Sequence, residues 1–335
     1  MRLTAIICIL IWAGVRCAGK KLAPFALSLS KGRPSLTDPK KLGQGFDKLS
    51  PNGHGGTMTE TSIPARVFER AAEEAETAKH GISTPQTEHP AYKLAFQDLD
   101  FLLSEELRPV RFQLELLKPE MLLDQADIGS MMVFYGSARI PEPGAKAFHA
   151  DAAVSASLEA KAHYYAEARA LAALASATPR DEAGLRHFVV CSGGGPSIME
   201  AANRGATDVG AESIGLNIVL PHEQAPNRFV TPSLSFQFHY FALRKMHFLL
   251  RARAVAVFPG GFGTFDESFE LLTLIQTGKI KRMPVLFFGR EFWERVVNFK
   301  ALAEEGVISA ADIDLITWVE TADEAWAAVQ AFYAD

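Results

Sequence analysis

Short apolar runs recur along the chain after residue 130, each followed by small or turn-forming residues and then by a helical pattern. Met131–Tyr135, His187–Cys191, Ser213–Leu220, Ala254–Phe258, Pro284–Phe288 and Leu315–Val319 read as strands, because uniformly apolar runs suit strands covered on both faces. Helical spacing predicts Ser155–Ala177, a helix from Pro196 to about Asn203, Tyr240–Arg251 with Phe241, Met246 and Leu249 inward, Thr264–Thr277, Glu291–Glu305 and Ala322–Tyr333. Strand and helix in alternation imply a single doubly wound α/β domain over residues 129–335. Upstream, Ile63–Lys79 reads as an exposed helix and Tyr92–Leu117 as helical with a break at Arg108-Pro109, so residues 58–128 are expected to form a helical cover.

The stretch VAVFPGGFGTFDESFE, Val255 to Glu270, concentrates the chemistry. A buried strand leaves through Pro259-Gly260-Gly261 and enters a helix expected to start near Thr264. Glycines there are free to take φ > 0, and a helix N-terminus offers unpaired N–H groups and a positive dipole end, which together cradle a phosphate. Glu267 falls in the expected first turn, where free N–H groups favour the ionised carboxylate. It is either a capping-box partner of Thr264 or a catalytic acid or base.

Two more strands end in small residues. Ser137 and Arg139 follow Met131–Tyr135, where ligands of open parallel sheets bind, with a surface ion pair as the alternative for Arg139. After the second strand comes Ser192-Gly193-Gly194-Gly195-Pro196, which lacks the third glycine of a dinucleotide fingerprint and the acidic residue that holds a ribose, so NAD is disfavoured. Met199 reads as packing and Glu200 as a polar contact, while Tyr164 and Tyr165 read as core.

Composition narrows the classes. The net charge is −5 over 335 residues, which offers no electrostatic reason to bind nucleic acid. Residues 1–57 hold nine Lys/Arg and two Asp/Glu, a balance of +7 that leaves −12 on the rest. The apolar run Leu3–Ala13 is too short to span a bilayer, and Ala18–Gly56 lacks any sustained period. Residues 1–57 are therefore either a disordered leader behind a mis-assigned start, with Met58 the natural beginning, or residues 1–19 are an export signal. The first reading places the protein in the cytoplasm. Three Cys and scattered His, without HExxH or paired CxxC, point to no disulfide framework and no metal site.

Pro259-Gly-Gly-Phe-Gly-Thr-Phe-Asp-Glu267, with Arg244-Lys245 upstream, resembles the signature of the Lonely Guy family, whose known enzymes are cytokinin riboside 5′-monophosphate phosphoribohydrolases and related nucleotide nucleosidases. The resemblance covers about Met131 to Thr277. It implies a Rossmann-like sheet, no cofactor, a nucleoside 5′-monophosphate substrate and a homodimer or higher homo-oligomer. Position by position it implies Arg244 and Glu267 as the catalytic pair and Gly260, Gly261, Phe262, Gly263 and Thr264 around the 5′-phosphate. Ser137, Arg139, Gly194, Gly195, Met199, Lys245, Phe265, Asp266 and Thr273 complete the expected substrate contacts. Ser197 stands where short members have Gly, and Ala242-Leu243 where an acidic residue precedes Arg-Lys.

Overall fold

The computed structural model describes residues 68–221 and 225–334. The chain divides into units 1–69 and 70–335, and the second carries all the elements below. The readings of residues 1–57 and Met58 lie outside the described residues, and the helix expected from Ile63 begins at Ala71, after the extended Arg70.

Seven strands form one sheet: β1 Met131–Tyr135, β2 Val189–Ser192, β3 Ile214–Ile218, β4 Ser235–Phe238, β5 Ala252–Val257, β6 Val285–Phe288 and β7 Thr317–Val319. Their order is β4-β3-β2-β1-β5-β6-β7, and every neighbouring pair is parallel. The helices are α1 Ala71–Ala78, α2 Leu99–Leu102, α3 Arg108–Gln125, α4 Ala152–Glu159, α5 His163–Ser176, α6 Ile198–Asp208, α7 Phe241–Leu250, α8 Phe262–Gln276, α9 Arg290–Val296, α10 Phe299–Glu304 and α11 Ala322–Ala334. This is the Rossmann-like, doubly wound α/β architecture that the alternating pattern predicts.

Period-two alternation sorts the core. Met131, Val133 and Tyr135 of β1 pack with residues of α3, α7, α8, α9 and α10, whereas Met132 and Phe134 face α5, α6 and α11. Covered on both sides, the strands are apolar throughout, which is why their sequence signal is strong.

Some boundaries differ from expectation. β4 is an unanticipated edge strand: its short alternating sequence SFQF carries no continuous apolar run. Arg108-Pro109 does not interrupt a helix but begins one, since proline in the first turn forfeits no helical hydrogen bond. The residues before it, from Pro90, form 3₁₀ turns and one helical turn. Pro196 lies outside its helix, which starts at Ile198. The long alanine-rich helix is two, because the chain turns over Ala160–Ala162 between an α4 with no buried residue and an α5 with six. Tyr164 and Tyr165 are in the core, as expected.

Candidate active site at the sheet switch point

Successive connections carry β1 to β4 outward in one direction, and β5 then returns to the other side of β1. Such a reversal leaves a crevice beyond the carboxyl ends of the strands. A cleft of 670 Å³ lies there, lined by the β1 exit (Tyr135 to Arg139), Gly193 and Met199, the end of β3 with Ile218 and Leu220, Phe241, Arg244 and Phe248 of α7, and Gly261 to Phe265 with Glu267 of α8.

Helix α7 turns its expected face inward only at Leu249, which packs against the core. Phe241 and Met246 are exposed and Leu249 is half-buried, while Arg244, His247 and Phe248 are buried. Partners on α3 make this tolerable. Glu115 accepts from the N–H groups of His239 and Tyr240, capping α7, and its backbone carbonyl lies 3.1 Å from His247 Nε2. Glu120 and Asp124 bind Arg251 just past the end of α7. The helical segment before the sheet thus positions a site helix, a role invisible to sequence reasoning because it depends on contacts more than 120 positions apart.

Arg244 is held from several sides. Its Nε donates to the Leu216 carbonyl at 2.7 Å, its Nη1 to Glu267 Oε1 at 3.2 Å, and its guanidinium lies over the Phe248 ring, 5.0 Å from the centroid. Gly193 makes room: a Cβ there would stand 2.6 Å from Arg244 Nη2 and 2.9 Å from Met199 Sδ.

The turn after β5 differs in detail from the expected cradle. None of Gly260, Gly261 and Gly263 has positive φ. Gly260 is needed because a Cβ would collide with the buried Thr264 hydroxyl, whereas Gly261 and Gly263 face open space. Helix α8 starts at Phe262 with Gly261 as N-cap, two residues earlier than expected. The residues of its first turn, Phe262 to Phe265, line the cleft, and the leading amides of a helix have no intrahelical acceptor. Glu267 consequently sits in the second turn, too far along to close a capping box with Thr264, and it bonds Arg244 instead. The expectation of a readily ionised carboxylate also fails. Burial pushes the Glu267 pKa up to about 7 against the pull of Arg244, and Asp266 adds to the rise.

The structure brings together Ser137, Arg139, Met199, Arg244, Gly261, Phe262, Gly263, Thr264, Phe265 and Glu267 on one cleft. Arg139 forms no ion pair among the described residues. Gly260 does not itself line the cleft but packs closely against Thr264, which does. Five other expected contacts do not line the cleft. Lys245 binds Asp266 at 3.0 Å and Glu270 at 2.8 Å, so Lys245 and Asp266 pair along the outside of α7 and α8. Thr273 is exposed near α10, with its hydroxyl donating to the Phe269 carbonyl. Gly194 and Gly195 are buried, their carbonyls accepting from Asn227 Nδ2. Glu200, read as a cleft contact, instead accepts from Tyr165 Oη.

Sequence reasoning missed the polar network behind the Gly193 turn. Asn203 Oδ1 accepts from Ser192 Oγ at 2.7 Å and from Asn227 Nδ2 at 2.9 Å, while Asn203 Nδ2 donates to Ser213 Oγ. It also missed Tyr135, whose place at the end of an apolar strand conceals its polar hydroxyl. Ser197 caps α6 at φ +65°, with its hydroxyl donating to the Ile140 carbonyl. The backbone there explains why glycine suits that position.

Residues 199–329 match a family described as possible lysine decarboxylase. The match spans α6 to α11 and takes in Met199, Arg244 and the Gly260–Glu267 turn. No curated protein matches this chain. Among solved structures, TM1055, a structural genomics target, is 18% identical, with 60% of this chain and 99% of that one covered and a TM-score of 0.39. The Moco carrier protein from Chlamydomonas reinhardtii is 16% identical, with 61% and 98% covered and a TM-score of 0.37. Among the described residues no helix is long and apolar enough to cross a membrane, and no cluster of His, Cys, Asp or Glu could hold a metal ion.

Proposed function

We propose that this chain hydrolyses the N-glycosidic bond of nucleoside 5′-monophosphates of the purine or cytokinin type, releasing free base and ribose 5-phosphate. The observation that carries this reading is the buried Arg244–Glu267 pair one helical turn beyond the start of α8, which lines the same cleft. Glu267 lies five positions after Phe262, about 7.5 Å along a helix axis, the scale of one sugar phosphate. A phosphate on the α8 N-terminus would set the anomeric carbon near the carboxyl group, and the apolar wall of Met199, Ile218, Leu220 and Phe241 suits a base.

In this mechanism the C1′–N bond breaks with oxocarbenium character on the ribose. Glu267, with a pKa of about 7, takes a proton from the attacking water as its oxygen bonds to C1′, and the base departs taking a proton from solvent. Arg244 keeps the carboxyl group aimed. A lysine decarboxylase of the pyridoxal type would need a Schiff-base lysine, and the cleft lining holds none.

Purified protein incubated with AMP and with isopentenyladenosine monophosphate tests the reading. Free base and ribose 5-phosphate should appear, with kcat/KM rising as pH increases through about 7, and Glu267→Gln should abolish turnover while leaving binding within a few-fold. Tight binding without base release in the wild type would instead identify a nucleotide sensor or carrier.

A further inference from the structure

Tyr135 closes β1 at the switch point, and its ring is almost fully buried, packed edge-on against Phe248 with centroids 5.2 Å apart. Both rings line the cleft with Arg244 and Glu267. The edge-to-face contact fixes the tyrosine, because Phe248 is itself held beneath the Arg244 guanidinium. Yet the Tyr135 hydroxyl has no hydrogen-bond partner among the described residues, and it is not among the polar atoms sealed from solvent. A phenol buried to its tip normally finds an acceptor. Here the space it opens on is the cleft beside the catalytic pair.

Resting on the proposed hydrolase reading, we propose that Tyr135 is a substrate-contacting residue whose hydroxyl donates a hydrogen bond to the ribose 2′-oxygen. The 2′-position adjoins the carbon at which charge develops, and hydrogen bonds to it strengthen in glycosyl transfer. The neighbouring groups keep the phenol a donor: burial first, and the Glu267 charge second, hold its pKa well above the ordinary tyrosine value. The contact would thus recognise ribonucleotides over 2′-deoxyribonucleotides.

The test is a two-by-two comparison of wild type and Tyr135→Phe against AMP and 2′-deoxy-AMP. Phenylalanine keeps the ring against Phe248, so the melting temperature should stay within a degree or two. The expected result is a loss of about tenfold or more in kcat/KM for AMP on Tyr135→Phe, with at most a twofold loss for 2′-deoxy-AMP. Equal losses on both substrates, or no loss on AMP, would overturn the assignment. If the wild type releases no base, the hydrolase reading fails by itself. Tyr135 is then judged by calorimetric affinities for the same two nucleotides, and ribonucleotide preference that survives Tyr135→Phe rules the contact out.

Discussion

Arg244 Nη1 stands 3.2 Å from Glu267 Oε1, joining α7 to α8 across 23 positions of sequence inside the cleft. The pair is nearly closed to solvent, with 11% and 14% of the two side chains exposed. Removing one partner therefore leaves a poorly hydrated charge. Arg244→Ala is expected to lower turnover by more than a hundredfold, checked by initial rates alongside a folding control such as circular dichroism.

On the proposed reading, Glu267 couples activity to stability. Its folded pKa, about 7, lies above the usual 4.5, so the folded state holds the proton more tightly than the unfolded one. Stability from this group is fully present below pH 4.5 and is lost as pH rises through 7. The shift corresponds to about 3 kcal/mol at most. Glu267→Gln cannot ionise and should melt several degrees above wild type at pH 8, with the gap closing by pH 4.5. A gap independent of pH in calorimetric scans would contradict the raised pKa.

The glycines of the α8 turn separate into two kinds. Gly260→Ala forces a methyl group into Thr264 and should lower stability by about 1–3 kcal/mol. Gly261→Ala meets open space without positive φ and should leave the melting temperature nearly unchanged, but its methyl group stands where a phosphate would approach, so AMP should bind at least several-fold more weakly. Thermal denaturation and calorimetric titration of both variants check this.

Arg139 lines the cleft with no ionic partner among the described residues. Its charge is available to an anion, so Arg139→Ala should raise KM for a nucleotide about tenfold or more with a much smaller change in kcat. Steady-state kinetics at low and moderate salt should show the wild-type advantage shrinking as salt rises.

At Ser197 the φ of +65° and the bond to Ile140 act in opposite directions. Ser197→Ala keeps the unfavourable backbone and loses the bond, for an expected cost of about 1 kcal/mol. Ser197→Gly relieves the backbone and should melt close to wild type, or above it. Paired melting curves distinguish the two.

Strands buried on both faces were legible in the sequence because their environment imposes one kind of residue, as in β1 and β5. The turn PGGFGTFDE was legible because its residue types serve one local geometry. The inward face of α7 was not, since hydrophobicity places Phe241 and Met246 inside, whereas Glu115, the Leu216 carbonyl and Glu267 supply partners that let Arg244 and His247 take those places. The environment of Glu267 was misread for a related reason. Local amides favour its ionised form, but the depth of the cleft is a property of the whole fold and outweighs them. Lys245 and Thr273 were expected from the resemblance alone, and the structure gives them local partners instead, Asp266 and Glu270 for the lysine and the Phe269 carbonyl for the threonine.

The bare Cα of Gly193 limits how this cleft can diversify. Any side chain there would displace the Arg244 guanidinium, so that point tolerates no variation without rebuilding the Arg244–Glu267 pair. Met199 is bound by the same contact, its Sδ 2.9 Å from where that Cβ would stand, whereas Leu220 and Phe241 line the cleft without being named in it. On the proposed reading, new preferences for the base should therefore arise at Leu220 and Phe241, while the floor beneath the arginine stays fixed.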